Sequence, residues 1–250
     1  MADDLIQSRA GWVTTLSINR PPHNYFDEDL LRAIADACAA ADDDPHIRCI
    51  LLRAEGRAFC AGADFRGRAG GGAEQVYAQA ARIFARRKPI VAAVQGAAVG
   101  GGLGLALAAD FRVASPEARF QANFVRIGLH PGFALTHTLP RLVGAQRAGE
   151  LLLTGRSVDG VEAVAIGLAD RLATTGTLDE TAAAFAADIA AGAPLALRSI
   201  RDAMTDGLAA KAEAAMAREL AAQAPLFASQ DFREGVSAFA EKRAPNFQGH

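Results

Sequence analysis

Lysine is almost missing from this sequence. Of its 26 basic residues only Lys88, Lys211 and Lys242 are lysines, so arginine carries nearly all the positive charge. Arginine's planar fork suits bidentate contacts to phosphate or carboxylate. Charge of one sign is lacking too. The formal net charge is −2, which gives no electrostatic footprint for nucleic acid or for an anionic membrane as main partner. Cysteine is scarce: Cys38, Cys49 and Cys60 are an odd number with no metal-ligand spacing. The acidic start, Met1-Ala2-Asp3-Asp4, lacks the apolar segment of a secretory leader. The expectation is therefore reduced, buried thiols in a cytoplasmic protein, with no bound metal. No uninterrupted apolar run reaches the length of a membrane-spanning helix. Repeats and low-complexity linkers are absent as well.

What is present is a core-forming composition, 51% hydrophobic and 22% charged over 250 residues. That is enough for a large core in one domain or two. The stretch the chain is organised around runs from Val91 to Asp110. Its apolar start ends in Gly100-Gly101-Gly102, which leads into the small-residue run Leu103-Gly104-Leu105-Ala106-Leu107-Ala108. This reads as buried strand, tight turn, buried helix. Glycines let a ligand approach bare backbone, and the first N–H groups of the helix have no partner inside it. Such a corner suits an anion, including one that forms only during a reaction. A second reading is structural: the glycines only let the helix sit close to a sheet. A dinucleotide-binding reading fits less well. Gly102-Leu103-Gly104-Leu105-Ala106-Leu107 has leucine where the third small residue belongs, and no acidic residue follows to hold a ribose.

In chain order, strands are expected over 11–18, 47–52, 90–94 and 111–114. Helices are expected over 27–41, 75–87, 136–143, 145–154 and 157–166. The prolines of Asn19-Arg20-Pro21-Pro22 make a loop, and Gly56 to Phe65 is a second loop of small residues. Residues 67–72, with four glycines, read as mobile, and 120–127 as irregular or extended. From Leu178 nearly everything reads as helix, with breaks near 192–194 and 224–225. Strands alternating with helices, then a run of helices, define an α/β fold with a helical C-terminal part.

Several segments in this order resemble the crotonase superfamily, also called the enoyl-CoA hydratase/isomerase family. They are Ile18-Asn19-Arg20-Pro21, Ala58-Phe59-Cys60-Ala61-Gly62-Ala63-Asp64, Gln95-Gly96-Ala97-Ala98-Val99-Gly100-Gly101-Gly102 and Leu107-Ala108-Ala109-Asp110. Leu153-Thr154-Gly155-Arg156, Ile166-Gly167-Leu168 and the segment Asp231 to Arg243 continue the match. The resemblance implies a crotonase-like spiral of ββα repeats over residues 1–192 and a helical trimerisation region over 193–250. It implies an acyl-CoA thioester substrate and a trimer or dimer of trimers, with no nucleic acid and no membrane as partner. No cofactor is implied beyond the coenzyme A carried by the substrate. It also implies that the backbone N–H groups of Ala63 and Gly101 form an oxyanion hole, with Ala61, Gly62 and Asp64 beside them. Phe239 and Lys242 would hold the CoA nucleotide, and their i,i+3 spacing puts them on one helix face. Arg20, Arg66 and Arg68 are further candidates for its phosphates. Asp64 as a helix cap and Asp110 as part of a structural network are the plainer alternatives.

The sequence departs from the family where acid/base chemistry is expected. Family hydratases carry two glutamates; the matching positions here are Gly104 and Phe124. The position of an acid in some isomerases is Gly132. Neither glycine nor phenylalanine moves a proton. The proton-transfer group is thus sought among Asn123, Arg126, His130, His137, His23 and Tyr25. His130, in a loop and with a near-neutral titration range, is the sharpest candidate. Phe124 would make the acyl pocket more apolar. The first reading is an acyl-CoA enzyme of the enoyl-CoA hydratase/isomerase type; the alternatives are an enzyme using the same enolate for isomerisation, hydrolysis, C–C cleavage or decarboxylation, and a silent acyl-CoA-binding subunit.

Overall fold

The computed structural model describes residues 3–64 and 72–250. The glycines of 67–71, Arg66 and Arg68 lie outside the described residues. Strands are β1 (Leu5–Ala10), β2 (Val13–Ile18), β3 (Cys49–Ala54), β4 (Ile90–Val94), β5 (Ala97–Val99), β6 (Phe111–Ala114), β7 (Arg119–Gln121), β8 (Ser157–Asp159) and β9 (Arg171–Leu172). Helices are α1 (Glu28–Asp43), α2 (Ala73–Phe84), α3 (Gly101–Ala108), α4 (Leu135–Val143), α5 (Ala145–Thr154), α6 (Gly160–Ala165), α7 (Leu178–Ala190), α8 (Pro194–Met204), α9 (Leu208–Phe227) and α10 (Gln230–Glu241). A short 3-10 helix covers Asn123–Ile127.

The larger sheet has the order β1-β2-β3-β4-β6-β9 and is parallel from β2 onward. The smaller sheet has the order β5-β7-β8. Successive turns repeat one plan. β3 is followed by an extended Cys60 that bridges Ala98, then by α2. β4 is followed by β5 and α3, and β6 by β7 and the 3-10 helix. Each turn thus lays one strand in the large sheet, one extended piece in the small one, and then a helix. This is a spiral of ββα repeats.

Strand alternation builds a core on each face of the large sheet. Leu16, Ile18, Ile50, Leu52, Ala92 and Val94 point to the side of α1 and α2. Val13, Cys49, Leu51, Val91, Ala93 and Val113 point to the other side, where Ala182, Ala186 and Ala190 of α7 cover them. α1 begins where Asp27 accepts the Leu30 N–H, and it buries Leu30, Leu31, Ile34 and Cys38 as one stripe. All three cysteines are buried free thiols. Burial pushes Cys38 up to about 11 and Cys49 and Cys60 to about 12, so they behave as apolar filler.

The structure corrects several expectations. β1 is an added edge strand, largely exposed, whose polar Gln-Ser-Arg hides any alternation. β5 intervenes between β4 and the glycine turn. The helix expected over 157–166 starts at Gly160, because Val158 is buried in β8 and Asp159 caps α6 through the Glu162 N–H. The break expected at 224–225 is absent: α9 continues through Pro225. Burial of Ala212, Ala215, Met216, Glu219 and Gln223 along α9 outweighs the one backbone bond a proline gives up.

Asp110 ties the spiral to the C-terminal helices. Its carboxylate accepts from Arg86 at 2.6 Å, from Arg201 at 3.1 Å and from the Ile90 N–H at 2.8 Å. Burial alone would raise its pKa, but the guanidinium groups of Arg86 and Arg201 hold it below the usual value. Its stabilising contribution is therefore complete at neutral pH and is lost as the pH falls through that lowered value. Asp110→Ala should cost about 3–5 kcal/mol in urea unfolding at pH 7, because two guanidinium groups lose their counter-charge. The gap from wild type should narrow below about pH 4. A cost under about 1 kcal/mol, the range of an exposed pair, would contradict this role.

Candidate active site

The site is built around residues 60–64, which are held from both sides. On one side Cys60 donates to the Ala97 carbonyl at 2.8 Å and its own carbonyl accepts from Val99 at 3.0 Å. On the other side the Ala61 N–H donates to His23, Phe26 donates to Gly62 at 3.0 Å, and Asp64 donates to Phe26 at 2.9 Å. Asn24 fixes the outer strand of this clamp. Fully buried, it donates to the carbonyls of Glu55 at 2.8 Å and Ala58 at 2.7 Å and accepts from the Arg20 N–H. Because Phe26 engages the carbonyl of Gly62 and the N–H of Asp64, the Ala63 N–H is turned away from that bridge.

The glycine triplet brings α3 onto this segment. A Cβ on Gly102 would lie 2.0 Å from the Cys60 carbonyl oxygen, and one on Gly101 would lie 2.6 Å from the Phe26 ring. Gly62 has φ +109°, and the Gly101 nitrogen lies 3.8 Å from where its Cβ would be. The two corners are therefore neighbours. Gly101 is the first residue of α3, so its N–H has no acceptor within the helix. Among the described residues neither the Ala63 nor the Gly101 N–H donates to a backbone carbonyl.

Both corners open on a cavity of about 370 Å³. Ala61, Gly62, Ala63, Asp64, Gly100 and Gly101 line one part of it. Phe26, Val76, Phe124, Ile127, Leu129, Phe133 and Phe227 make the rest largely apolar. Tyr77, Asn123 and Gln223 bring polar atoms to the wall, and Asp27, Glu28 and Asp29 stand at the N-terminus of α1.

The spaces beside two glycines, Gly132 on the wall and Gly104 behind it, are filled from elsewhere in the chain. A Cβ on Gly104 would lie 2.5 Å from Cβ of Phe133, and one on Gly132 would lie 2.1 Å from the Tyr77 hydroxyl. Phe133 and Ala134 both have φ of +60°, an arrangement that costs about 1–3 kcal/mol per residue. The buried carboxylate of Glu219, on α9, holds this turn. It accepts from the Ala134 N–H at 2.8 Å, the Thr136 N–H at 2.9 Å and the Thr136 hydroxyl at 2.6 Å. It also places negative charge at the start of α4, where the helix dipole favours it.

Of the residues singled out in the sequence, Ala61, Gly62, Ala63, Asp64, Gly101 and Phe124 meet on this cavity, as does Asn123. His130 does not. Its ring Nδ1 pairs with the Pro131 carbonyl at 2.7 Å, while its own carbonyl accepts from Gln223. Phe239 and Lys242 lie away from the wall: Phe239 is on α10 and 70% exposed, while Lys242 caps the helix end with φ +55°, so the two do not share the one helix face expected of them. Arg126 donates to the Thr154 carbonyl, His23 is exposed beside Tyr25, and His137 sits on α4 outside the lining. Burial and the nearby Lys211, Arg141 and Arg218 lower the pKa of His137, which favours the neutral ring. Arg20 is bound by Asp4 at 2.7 Å and Asp27 at 2.9 Å. Tyr77, Gln223 and Glu219 escaped the sequence reading. Each sits on a helix, inside no motif, and gains meaning only when α2 and α9 meet.

The chain matches the enoyl-CoA hydratase/isomerase family model over residues 9–250. It is 35% identical over 254 residues to the crotonyl-CoA hydratase of Syntrophomonas wolfei, with 98% of each chain covered. It is 34% identical to a probable enoyl-CoA hydratase of Bacillus subtilis, covering 95% of this chain and 96% of that one. The crystal structure of an enoyl-CoA hydratase/isomerase from Pseudoalteromonas atlantica superposes with a TM-score of 0.89 at 36% identity, over 98% of this chain and 100% of that one. The spiral, the two glycine-bearing corners and these matches together make the chain a member of the crotonase superfamily.

The filling of the space beside Gly104 is testable. Gly104→Ala should destabilise the protein by about 1–3 kcal/mol through overpacking against Phe133. In a Phe133→Gly background, which removes that Cβ as well as the ring, the same change should cost little, a coupling readable in a double-mutant cycle by urea unfolding. Equal costs in the two backgrounds would show that Phe133 does not fill that space.

Proposed function

We propose that this chain is an acyl-CoA enzyme of the enoyl-CoA hydratase/isomerase type, a lyase or isomerase that polarises a thioester. The thioester carbonyl oxygen would sit on the Ala63 and Gly101 N–H groups. Charge moving onto that oxygen as an enolate forms would then meet two fixed donors, each worth about 3–4 kcal/mol to the transition state. The observation that carries the reading is the pair of neighbouring amides, both without a backbone acceptor among the described residues, on the wall of one cavity. The apolar wall suits an acyl chain, and Ala61, Gly62 and Asp64 border the thioester. The names of the relatives favour the same substrate class.

Hydration by a pair of glutamates is not part of the proposal, since the matching positions are Gly104 and Phe124 and the third acid position is Gly132. The reaction is instead one that shares the enolate: isomerisation, hydrolysis, C–C cleavage or decarboxylation. A second reading, a silent acyl-CoA-binding subunit, is favoured by one observation: Phe133 and Tyr77 occupy the spaces beside Gly104 and Gly132. Self-association as a trimer or dimer of trimers belongs to the proposal. It would give the exposed Phe239 and Lys242 a role on the CoA nucleotide of a neighbouring subunit. The mostly exposed Leu195, Ile200 and Met204 of α8 fit a region that meets another copy. A cytoplasmic location agrees with buried free thiols; no single described helix is long and apolar enough to cross a membrane.

The test is turnover of a panel of enoyl-CoA and β-oxoacyl-CoA esters, with Ala63→Pro as the variant. Proline deletes one N–H and breaks no bond of the Phe26 bridge. For an ester that turns over, kcat should fall about 100- to 1000-fold with CoA affinity retained. Tight acyl-CoA binding with no turnover anywhere would select the silent subunit. Neither binding nor turnover would contradict the proposal.

A further inference from the structure

The cavity wall holds one built polar pair that neither the sequence motifs nor the comparisons assign. Tyr77, on α2, donates its hydroxyl proton to Oε1 of Gln223, on α9, at 3.1 Å. Gln223 is 4% exposed, and its Nε2 donates to the His130 carbonyl at 2.9 Å. A carbonyl can only accept, so the amide must present its NH2 group to His130 and its oxygen to Tyr77. The Phe133 N–H also faces the Tyr77 oxygen. Two capacities are left over: the remaining lone pair of that oxygen and the second N–H of Gln223. Both residues line the cavity. A side chain at position 132 would occupy the place where they meet: a Cβ there would lie 2.1 Å from the Tyr77 oxygen and 2.8 Å from Nε2 of Gln223. Glycine at 132 is what lets the Tyr77 hydroxyl and the Gln223 amide come together against the backbone at the edge of the cavity.

We infer that Tyr77 and Gln223 form the specificity-determining contact of the acyl pocket and receive a hydroxyl group carried by the acyl chain. The assignment rests on the acyl-CoA reading above. A hydroxyl gives its proton to the Tyr77 oxygen and accepts the free N–H of Gln223, which satisfies both groups with one atom. A plain alkyl chain laid against the pair leaves the second N–H of Gln223 unpaired in an apolar wall, the situation that discriminates best between analogues. A carbonyl oxygen satisfies only the amide, and an ammonium only the phenol oxygen. A carboxylate would meet the negative field of Glu219, which Tyr77 already feels. Burial, followed by that carboxylate, pushes the Tyr77 phenol up to about 12, so the pair is uncharged throughout the physiological range. Tyr77 is thus a hydrogen-bonding residue toward the acyl chain and Gln223 both partners it and positions it.

The experiment is isothermal titration of the full chain with matched CoA thioesters, each saturated acyl group paired with counterparts hydroxylated at C3, at C4 or on a phenyl ring. At least one hydroxylated member should bind about ten-fold tighter than its parent, the effect of two neutral hydrogen bonds. Tyr77→Phe and, separately, Gln223→Leu should reduce that ratio to within about two-fold. Gly132→Ala, whose methyl group would force the Tyr77 hydroxyl away from Gln223, should do the same. No hydroxyl preference at any position, or a preference that survives Tyr77→Phe, would overturn the inference while leaving acyl-CoA binding intact. Thioesters of both kinds binding no better than free CoA would instead overturn the acyl-CoA reading, and this assignment with it.

Discussion

The constraint on which the site depends is the two-sided hydrogen bonding of residues 60–64. One edge of this short segment belongs to the small sheet through Cys60 and Ala98, and the other to the Phe26 strand through Ala63. Each bond adds only about 0.5–1.5 kcal/mol net. Together they leave the segment one orientation, and in that orientation the Ala63 amide is the group not consumed. α3 can then approach only if its first turn carries no Cβ against the Cys60 carbonyl or the Phe26 ring, which fixes glycine at 102 and 101. The bare amides are therefore a consequence of how the spiral stacks, not of the loop residues alone.

The C-terminal helices complete the wall from outside the spiral. Glu219 and Gln223 lie one helical turn apart on α9, and both are buried. One holds the Phe133–Ala134 turn; the other holds Tyr77 and the His130 carbonyl. The ring and the phenol so placed occupy the spaces beside Gly104 and Gly132. Two glycines that look like simple losses of acid groups are, in the folded chain, the openings that these aromatic side chains need.

The sequence made the centre legible and left the periphery dark. The stretch 91–110 could be read because a buried strand, a glycine cluster and a small-residue helix are local signals, and Asp110 proved to be the structural network expected of it. Segment 58–64 was legible only through its order relative to that stretch. Tyr77 and Gln223 are 146 residues apart and carry no spacing that a linear reading detects. His130 drew notice for its titration range, yet its backbone carbonyl, which any residue has, is what Gln223 uses. β1 and β8 were hidden by polar residues on short edges, and Pro225 was overruled by the burial of the helix around it.

We propose that the Ala63 and Gly101 amides act together on one carbonyl oxygen. The most direct measurement is the 13C resonance of an acyl-CoA labelled at the thioester carbonyl, recorded free and in its saturated complex with the wild-type chain and with Ala63→Pro. Two converging donors draw electron density from the carbonyl carbon, so the bound resonance should move downfield in the wild type and return toward the free position in the variant. A saturated complex whose carbonyl resonance stays where it is in free thioester would contradict the claim.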